Sequence, residues 1–239
     1  MQPKRPKGRP PKATHLENFL SNMTEVERLI EIHTAIAGAT KGRKHKVEIL
    51  NKAGIILLIA CWEAFVEDLA EAAFGLMLRR AKTPDVFPGK VLTTASRQLK
   101  QANDERRVWE LAGDGWKKVL RSHQDETIRR YVGSLNTPRP DQIDGMFESL
   151  LGLKKVSSRW RWFRMTPSRA RKELDKLVTL RGSIAHRVST AQAVLKKDVV
   201  RCDKFVTRLA IATHNAVNAY LGKAAGYPPW DDYTNRPSG

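Results

Sequence analysis

The chain has little cysteine, no strand pattern and no acid in two of its basic tracts, and each shortage narrows what it can be. Cys61 and Cys202 are the only cysteines in 239 residues. Two isolated thiols supply neither a disulfide framework nor a metal-spaced pair. A reducing compartment is therefore expected, with a cytoplasmic location and no metal centre. The longest apolar run, Gly54 to Trp62, is much shorter than the roughly 20 residues a spanning helix needs, so no membrane contact is expected. The N-terminus is basic, but no apolar segment follows it as in a secretory signal. Period-two alternation and internal repeats are also missing, which excludes a sheet-based or solenoid reading.

Two basic tracts stand out for holding no acid. Residues 1–12 hold Lys4, Arg5, Lys7, Arg9 and Lys12 and no Asp or Glu. Residues 154–172 hold Lys154, Lys155, Arg159, Arg161, Arg164, Arg169, Arg171 and Lys172, again with no acid, and Trp160, Trp162 and Phe163 lie among them. Across the chain 43 Lys+Arg face 25 Asp+Glu, a net charge of +18. The first tract carries +5 of this, leaving +13 on the remainder. An excess of that size favours a polyanionic partner, because each neutralised phosphate releases a counterion.

Most of the chain has helical period. Residues 1–13 read as a disordered tail, since Pro3, Pro6, Pro10 and Pro11 exclude a helix and nothing apolar supplies a core. A first helix is expected from about Leu16 to Ala37, with Thr14 as N-cap and Glu17 as its capping-box partner. Its stripe is Phe19, Met23, Val26, Ile30 and Thr34. The longest helix is expected from about His45 to Ala81, with Ile55, Leu58, Ile59, Trp62, Val66, Leu69 and Ala73 on one broad face. Pro84 and Pro88 end it. Shorter helices follow over 89–102, 105–119, 123–135 and 141–151. Pro167 and Ser168 open the next, and Ser189 with Gln192 caps a last helix ending at Leu221 before Gly222. Residues 223–239 read as an irregular tail. The expected fold is all-α, a bundle of long antiparallel helices over 14–222.

On the helix that follows Ser168, the apolar face is Leu174, Leu177, Val178, Leu180, Ile184 and Val188, and Arg181 falls inside it. An inward charge is costly unless it is paired or has a task. From spacing alone, a structural ion pair to a neighbouring helix explains it. His186 follows five residues later. Glu63 and Glu67 stand at i, i+4 on the long helix beside Trp62 and form either a solvated acidic face or a partner for Arg181.

Residues 174–187, LDKLVTLRGSIAHR, resemble the signature of the HEPN superfamily, an arginine followed by four to six residues and a histidine. Residues 61–74, CWEAFVEDLAEAAF, are similar to the corresponding helix of the RiboL-PSP-HEPN and related HEPN-nuclease families, where Trp-Glu-x-Phe recurs. The order, long helix early and Arg–His helix late, also fits. The resemblance covers about residues 45–80 and 170–220. Gly182 departs from it, since many members carry a polar residue, often Asn, directly after the arginine.

The resemblance implies a metal-independent endoribonuclease without cofactor, working as a homodimer that pairs two motifs. It is of the kind found in toxin–antitoxin and phage-defence systems, where an antitoxin or defence partner accompanies it. Arg181 would hold the scissile phosphate, and His186 would move protons to or from the ribose 2′-OH or the leaving oxygen. Glu63 would pair with Arg181 or orient His186. In a straight helix, residues five apart diverge by about 140°. A joint site therefore requires a bend at Gly182, a helix end before His186, or a second subunit.

Two nucleic-acid contacts are expected beside this site. Arg159, Arg161 and Arg164 suit RNA phosphates, and Trp160 and Trp162 suit an unpaired base, unless the aromatics anchor the core. Lys4, Arg5, Lys7 and Arg9 surround Gly8-Arg9-Pro10, which resembles an AT-hook. They suit either the A·T minor groove of DNA or polyanions in general. A non-catalytic nucleic-acid-binding or scaffold module, built on this tail and the 154–172 tract, is the alternative function.

Overall fold

The structure, a computed structural model, describes residues 12–37, 47–97, 99, 104–133, 139–187, 193–225, 229–231 and 233. The first eleven residues, with Lys4, Arg5, Lys7 and Arg9, lie outside these, as do Ser189 and Gln192. The described chain is all-α, and its only β feature is an isolated bridge between Trp162 and Met165. Its α-helices are α1 (Thr14–Ala37), α2 (Glu48–Arg80), α3 (Gly89–Ala95), α4 (Gly115–Gly133), α5 (Pro140–Leu151), α6 (Pro167–Arg187) and α7 (Lys196–Ala225).

α2 is the hub, packing against α1, α4, α5, α6 and α7. The sequence explains why: every residue of its expected stripe is buried, and Phe65, Ala70 and Phe74 widen that stripe until the helix is apolar on most sides. By length and composition α2 is apolar enough to cross a bilayer, but half of its most apolar window is buried inside the bundle, as in a core helix. Gly54 permits the close α2–α7 approach, since a Cβ there would stand 2.9 Å from Val199 Cγ1. Contacts fix the directions. Phe19 packs on Phe65, with ring centroids 5.1 Å apart. His15 bonds His214, and Thr34 accepts from Lys196. α1 is therefore antiparallel to α7.

Several boundaries differ from the sequence expectation. The first helical bonds close onto Ala13 O, which places Thr14 inside α1 and not at its cap. Residues 105–111 form a 3-10 segment, and the chain breaks at Gly113 (φ +57°) rather than between Val119 and His123. The reason is packing: Val108 and Trp109 are exposed, so 105–119 has no single face toward the core. Leu195 N donates to Asp198 Oδ2, and α7 starts at Lys196. It also runs past Gly222, which is buried, to Ala225.

Trp230 then folds back onto the bundle. Asn218 accepts from Trp230 N at 3.0 Å and donates to its carbonyl at 2.9 Å. The Trp230 ring meets His15 edge-on, with centroids 4.7 Å apart. His15 Nε2 and His214 Nδ1 share a hydrogen bond of 2.8 Å inside the core. Burial, followed by the charge of His214, pushes the His15 pKa down to about 3.

Candidate active site and nucleic-acid interface

α6 starts after Thr166, whose Oγ1 accepts from Arg169 N, with Pro167 at the first helical position where a missing N–H is harmless. A buttress sets its direction. Arg171 reaches Asp141 at 2.5 Å and Asp144 at 2.9 Å on α5, and it also meets Ser157 Oγ. Asp144 accepts from both Ser157 N and Ser157 Oγ, which ties the 3-10 turn at 156–159 to the same knot. Higher on α6, Arg139 spans to Asp175 at 3.1 Å and Thr179 at 3.3 Å.

Beyond this buttress, Ala170, Leu174, Leu177, Val178 and Ile184 are buried against the bundle, and Arg181 lies half-buried on the same stripe. It faces α2. Burial raises the pKa of the Glu63 carboxyl, the charge of Arg181 pulls it back, and Glu67 adds a further rise. Arg181 and Glu63 are therefore near neighbours, though the net rise shows that burial outweighs the arginine. Glu63 Oε1 and the adjacent Trp62 Nε1 are both buried without a hydrogen-bond partner among the described residues. Beyond Glu63, the acidic row continues through Glu67, Asp68 and Glu71, and Glu67 is also raised, by burial and then by those two acids.

His186 is exposed in the last turn of α6, and the helix continues unbroken through Gly182 to Arg187. Of the three routes to a joint site, a helix end before His186 does not occur. The two residues leave an α-helix about 140° apart, one half-buried and one in solvent. A Cβ at Gly182 would meet nothing within 4 Å, so close packing inside the chain does not require that glycine. Ser183 Oγ donates back to Thr179 O at 3.1 Å.

In the basic tract the structure separates residues that the sequence had grouped. Trp160 is fully buried, its Nε1 donates to Thr213 Oγ1 at 2.9 Å, and its ring meets Trp62 edge-on. An enclosed ring cannot stack on a base, so the binding role expected for Trp160 is corrected to a core anchor. Trp162 is half-buried against Phe205, with centroids 6.0 Å apart. Arg159, Arg161 and Arg164 are exposed. Phe163, not chosen from the sequence as a contact residue, is 80% exposed. Its position follows from the turn: Trp162 and Met165 exchange backbone bonds of 3.3 and 2.9 Å, which leaves Phe163 and Arg164 at the tip. Arg164 has φ +59°, which costs a non-glycine residue about 1 kcal/mol or more. Helical periodicity carries no signal for such a reversal.

Among the described residues, no group of three or more His, Cys, Asp or Glu gathers as metal ligands do. No curated protein and no solved structure matches the chain. The profile of one family, RiboL-PSP-HEPN, matches residues 17–219, from α1 nearly to the end of α7. The all-α bundle and the Arg181–His186 helix packed on α2 thus occur in a chain that belongs to the RiboL-PSP-HEPN family.

Proposed function

We propose that this chain is a metal-independent endoribonuclease whose site is completed across a homodimer. The observation that carries the reading is Arg181, held on the inward stripe of α6 beside buried Glu63, five residues before exposed His186, in a HEPN-type domain of a kind that is often a ribonuclease. Arg181 binds the scissile phosphate with its fixed fork of donors and stabilises the charge that grows there. Glu63 positions that fork. His186 takes the proton of the 2′-OH or returns one to the leaving 5′-oxygen. The 2′-oxygen bonds to phosphorus as the 5′-oxygen leaves, giving a 2′,3′-cyclic phosphate and a 5′-OH. DNA has no 2′-OH and resists.

Divergence of Arg181 and His186 on one helix favours the second subunit. Ile49 and Ile56 are exposed at 57% and 37% on the helical face of α2 that carries Glu63, at a spacing of seven, and exposed Ala60 and Ala64 follow beside them. This apolar stripe, with the open surface over Gly182, suits a symmetric partner helix. The role as a toxin or phage-defence effector, restrained by an antitoxin or another defence protein, rests on the family resemblance.

The test is cleavage of RNA by wild type and His186→Ala with EDTA present. Cleavage by wild type alone, leaving cyclic phosphate ends, supports the reading, whereas cleavage surviving in the variant contradicts it. The separation of Arg181 from His186 favours one alternative, a binding module using the exposed arginines of the 154–172 tract and the basic tail. Binding without cleavage by either protein would establish that alternative.

A further inference from the structure

We propose that the turn Trp162–Met165 is a stacking platform for an unpaired base, with Phe163 as the ring, so that the ligand is single-stranded RNA. This inference rests on the nucleic-acid reading above and names its substrate class.

The turn is rigid. Trp160 anchors one side in the core through Thr213, Trp162 lies against Phe205, and the two backbone bonds between Trp162 and Met165 close the loop. At its tip the Phe163 ring is 80% exposed, and the Arg164 guanidinium stands 5.0 Å from its centroid. Arg164 itself has a left-handed backbone, the conformation that reverses the chain at the tip. One face of an aromatic ring and a cation are thus presented together on a fixed mount.

The arginines of the platform are unmatched among the described residues. Among the described residues, Arg159, Arg161 and Arg164 form no ion pair, and Lys154 and Lys155 are exposed nearby in sequence. The other prominent exposed aromatic, Trp109 at 76%, stands among cations already matched. Arg106 pairs with Asp104 at 2.9 Å and Arg107 with Glu110 at 2.7 Å. Among the described residues, the Phe163 turn combines an open ring with arginines that form no ion pair, which is the combination a single strand requires, phosphates on cations and a base on a ring. In a duplex, bases are already stacked and a lone ring at a turn tip has nothing to receive; unpaired bases of RNA are the usual stacking partners. From Phe163 the chain passes directly into α6, and Arg181 lies fourteen residues beyond Pro167, about 21 Å along the helix. A strand of several nucleotides held at the turn can therefore reach the phosphate-binding arginine.

The test uses the full chain carrying His186→Ala, so that bound RNA stays intact. Fluorescence anisotropy would follow a labelled single-stranded RNA, and separately a duplex of the same sequence, across a salt series. Phe163→Ala is expected to weaken single-strand binding by roughly tenfold, the loss of one base stack, without changing the salt slope. Phe163→Tyr restores affinity because it keeps the ring. Arg159→Glu lowers the slope instead. Circular dichroism should be unchanged for Phe163→Ala, since the ring is not in the core. Unchanged single-strand affinity in Phe163→Ala, or an equal loss on single strand and duplex, would overturn the proposal. The two readings fail separately. If His186→Ala abolishes cleavage but Phe163→Ala binds normally, the nuclease stands and the platform falls. If cleavage survives His186→Ala while Phe163→Ala loses binding, the reverse holds.

Discussion

Two arginines on α6, Arg171 and Arg181, meet carboxylates in opposite ways. Arg171 is enclosed by Asp141, Asp144 and Ser157, and Asp144 itself is satisfied three times over. Burial pulls its guanidinium pKa down, and the hydrogen bonds and charges of the two aspartates together push it above its ordinary value. Arg181 meets a carboxyl that burial has raised. The charge of Arg181 pulls that carboxyl back without offsetting the rise. The difference teaches that the first arginine ties α6 to α5 and to the 156–159 turn, while the second stands half-buried beside a carboxyl that burial, more than charge, controls.

Substitutions break this comparison in order of size. Arg181→Ala is expected to slow RNA cleavage by about 100- to 1000-fold, as for loss of one donor to a developing oxyanion, with little change in the thermal midpoint. A comparable loss in stability would make Arg181 another Arg171. The second effect is acid sensitivity in the buried His15–His214 pair, where His15 packs beside Phe65 on α2. The folded pKa of His15, about 3, lies below its unfolded value, so the unfolded chain binds more protons across that window. Stability is complete above about pH 6.5 and falls with acidification toward pH 3, by about 2 kcal/mol at pH 5, as read by urea unfolding. His15→Gln should flatten that dependence, and an unchanged slope would show that the His15–His214 pair is not its source.

Arg171→Ala comes next, at about 1.5–2 kcal/mol of unfolding free energy, because Asp144 loses the one cation among its three donors beneath α6. Its specific cleavage rate, measured well below the melting range, should stay within a fewfold of wild type. The smallest effect belongs to Glu63. Its folded pKa lies above the unfolded one, so its contribution falls as pH rises through that interval, the opposite sign to His15. Glu63→Gln should therefore stabilise the chain slightly at neutral pH while disturbing the orientation of Arg181. Lower stability at pH 7 would show that the carboxylate is locked in an ion pair after all.

The helices with one apolar face were legible in the sequence. The seven residues of the α2 stripe are all buried, and Arg181 sits inward as its spacing required. Glu63 was legible only as one of two readings, because periodicity shows which face a residue occupies and not what faces it. What the sequence concealed depended on reversals and long-range docking. Trp160 and Phe163 look alike in a basic aromatic run, yet a two-residue turn buries one and exposes the other. Trp230 reads as part of a polar tail, and only the side chain of Asn218 and the His15 ring, distant in sequence, give it a place. The expected helix over 105–119 is interrupted at Gly113 because the preceding residues have no core to face, a property of the surroundings rather than of the segment.

The central claim is that Arg181 and His186 act together across two subunits. Complementation tests it most directly: Arg181→Ala and His186→Ala proteins are purified separately, then co-refolded in equal amounts and assayed for RNA cleavage. If each site takes arginine from one subunit and histidine from the other, half of the dimers are mixed and each mixed dimer holds one intact site, giving about a quarter of the wild-type rate. A mixture no more active than either variant alone would contradict the claim.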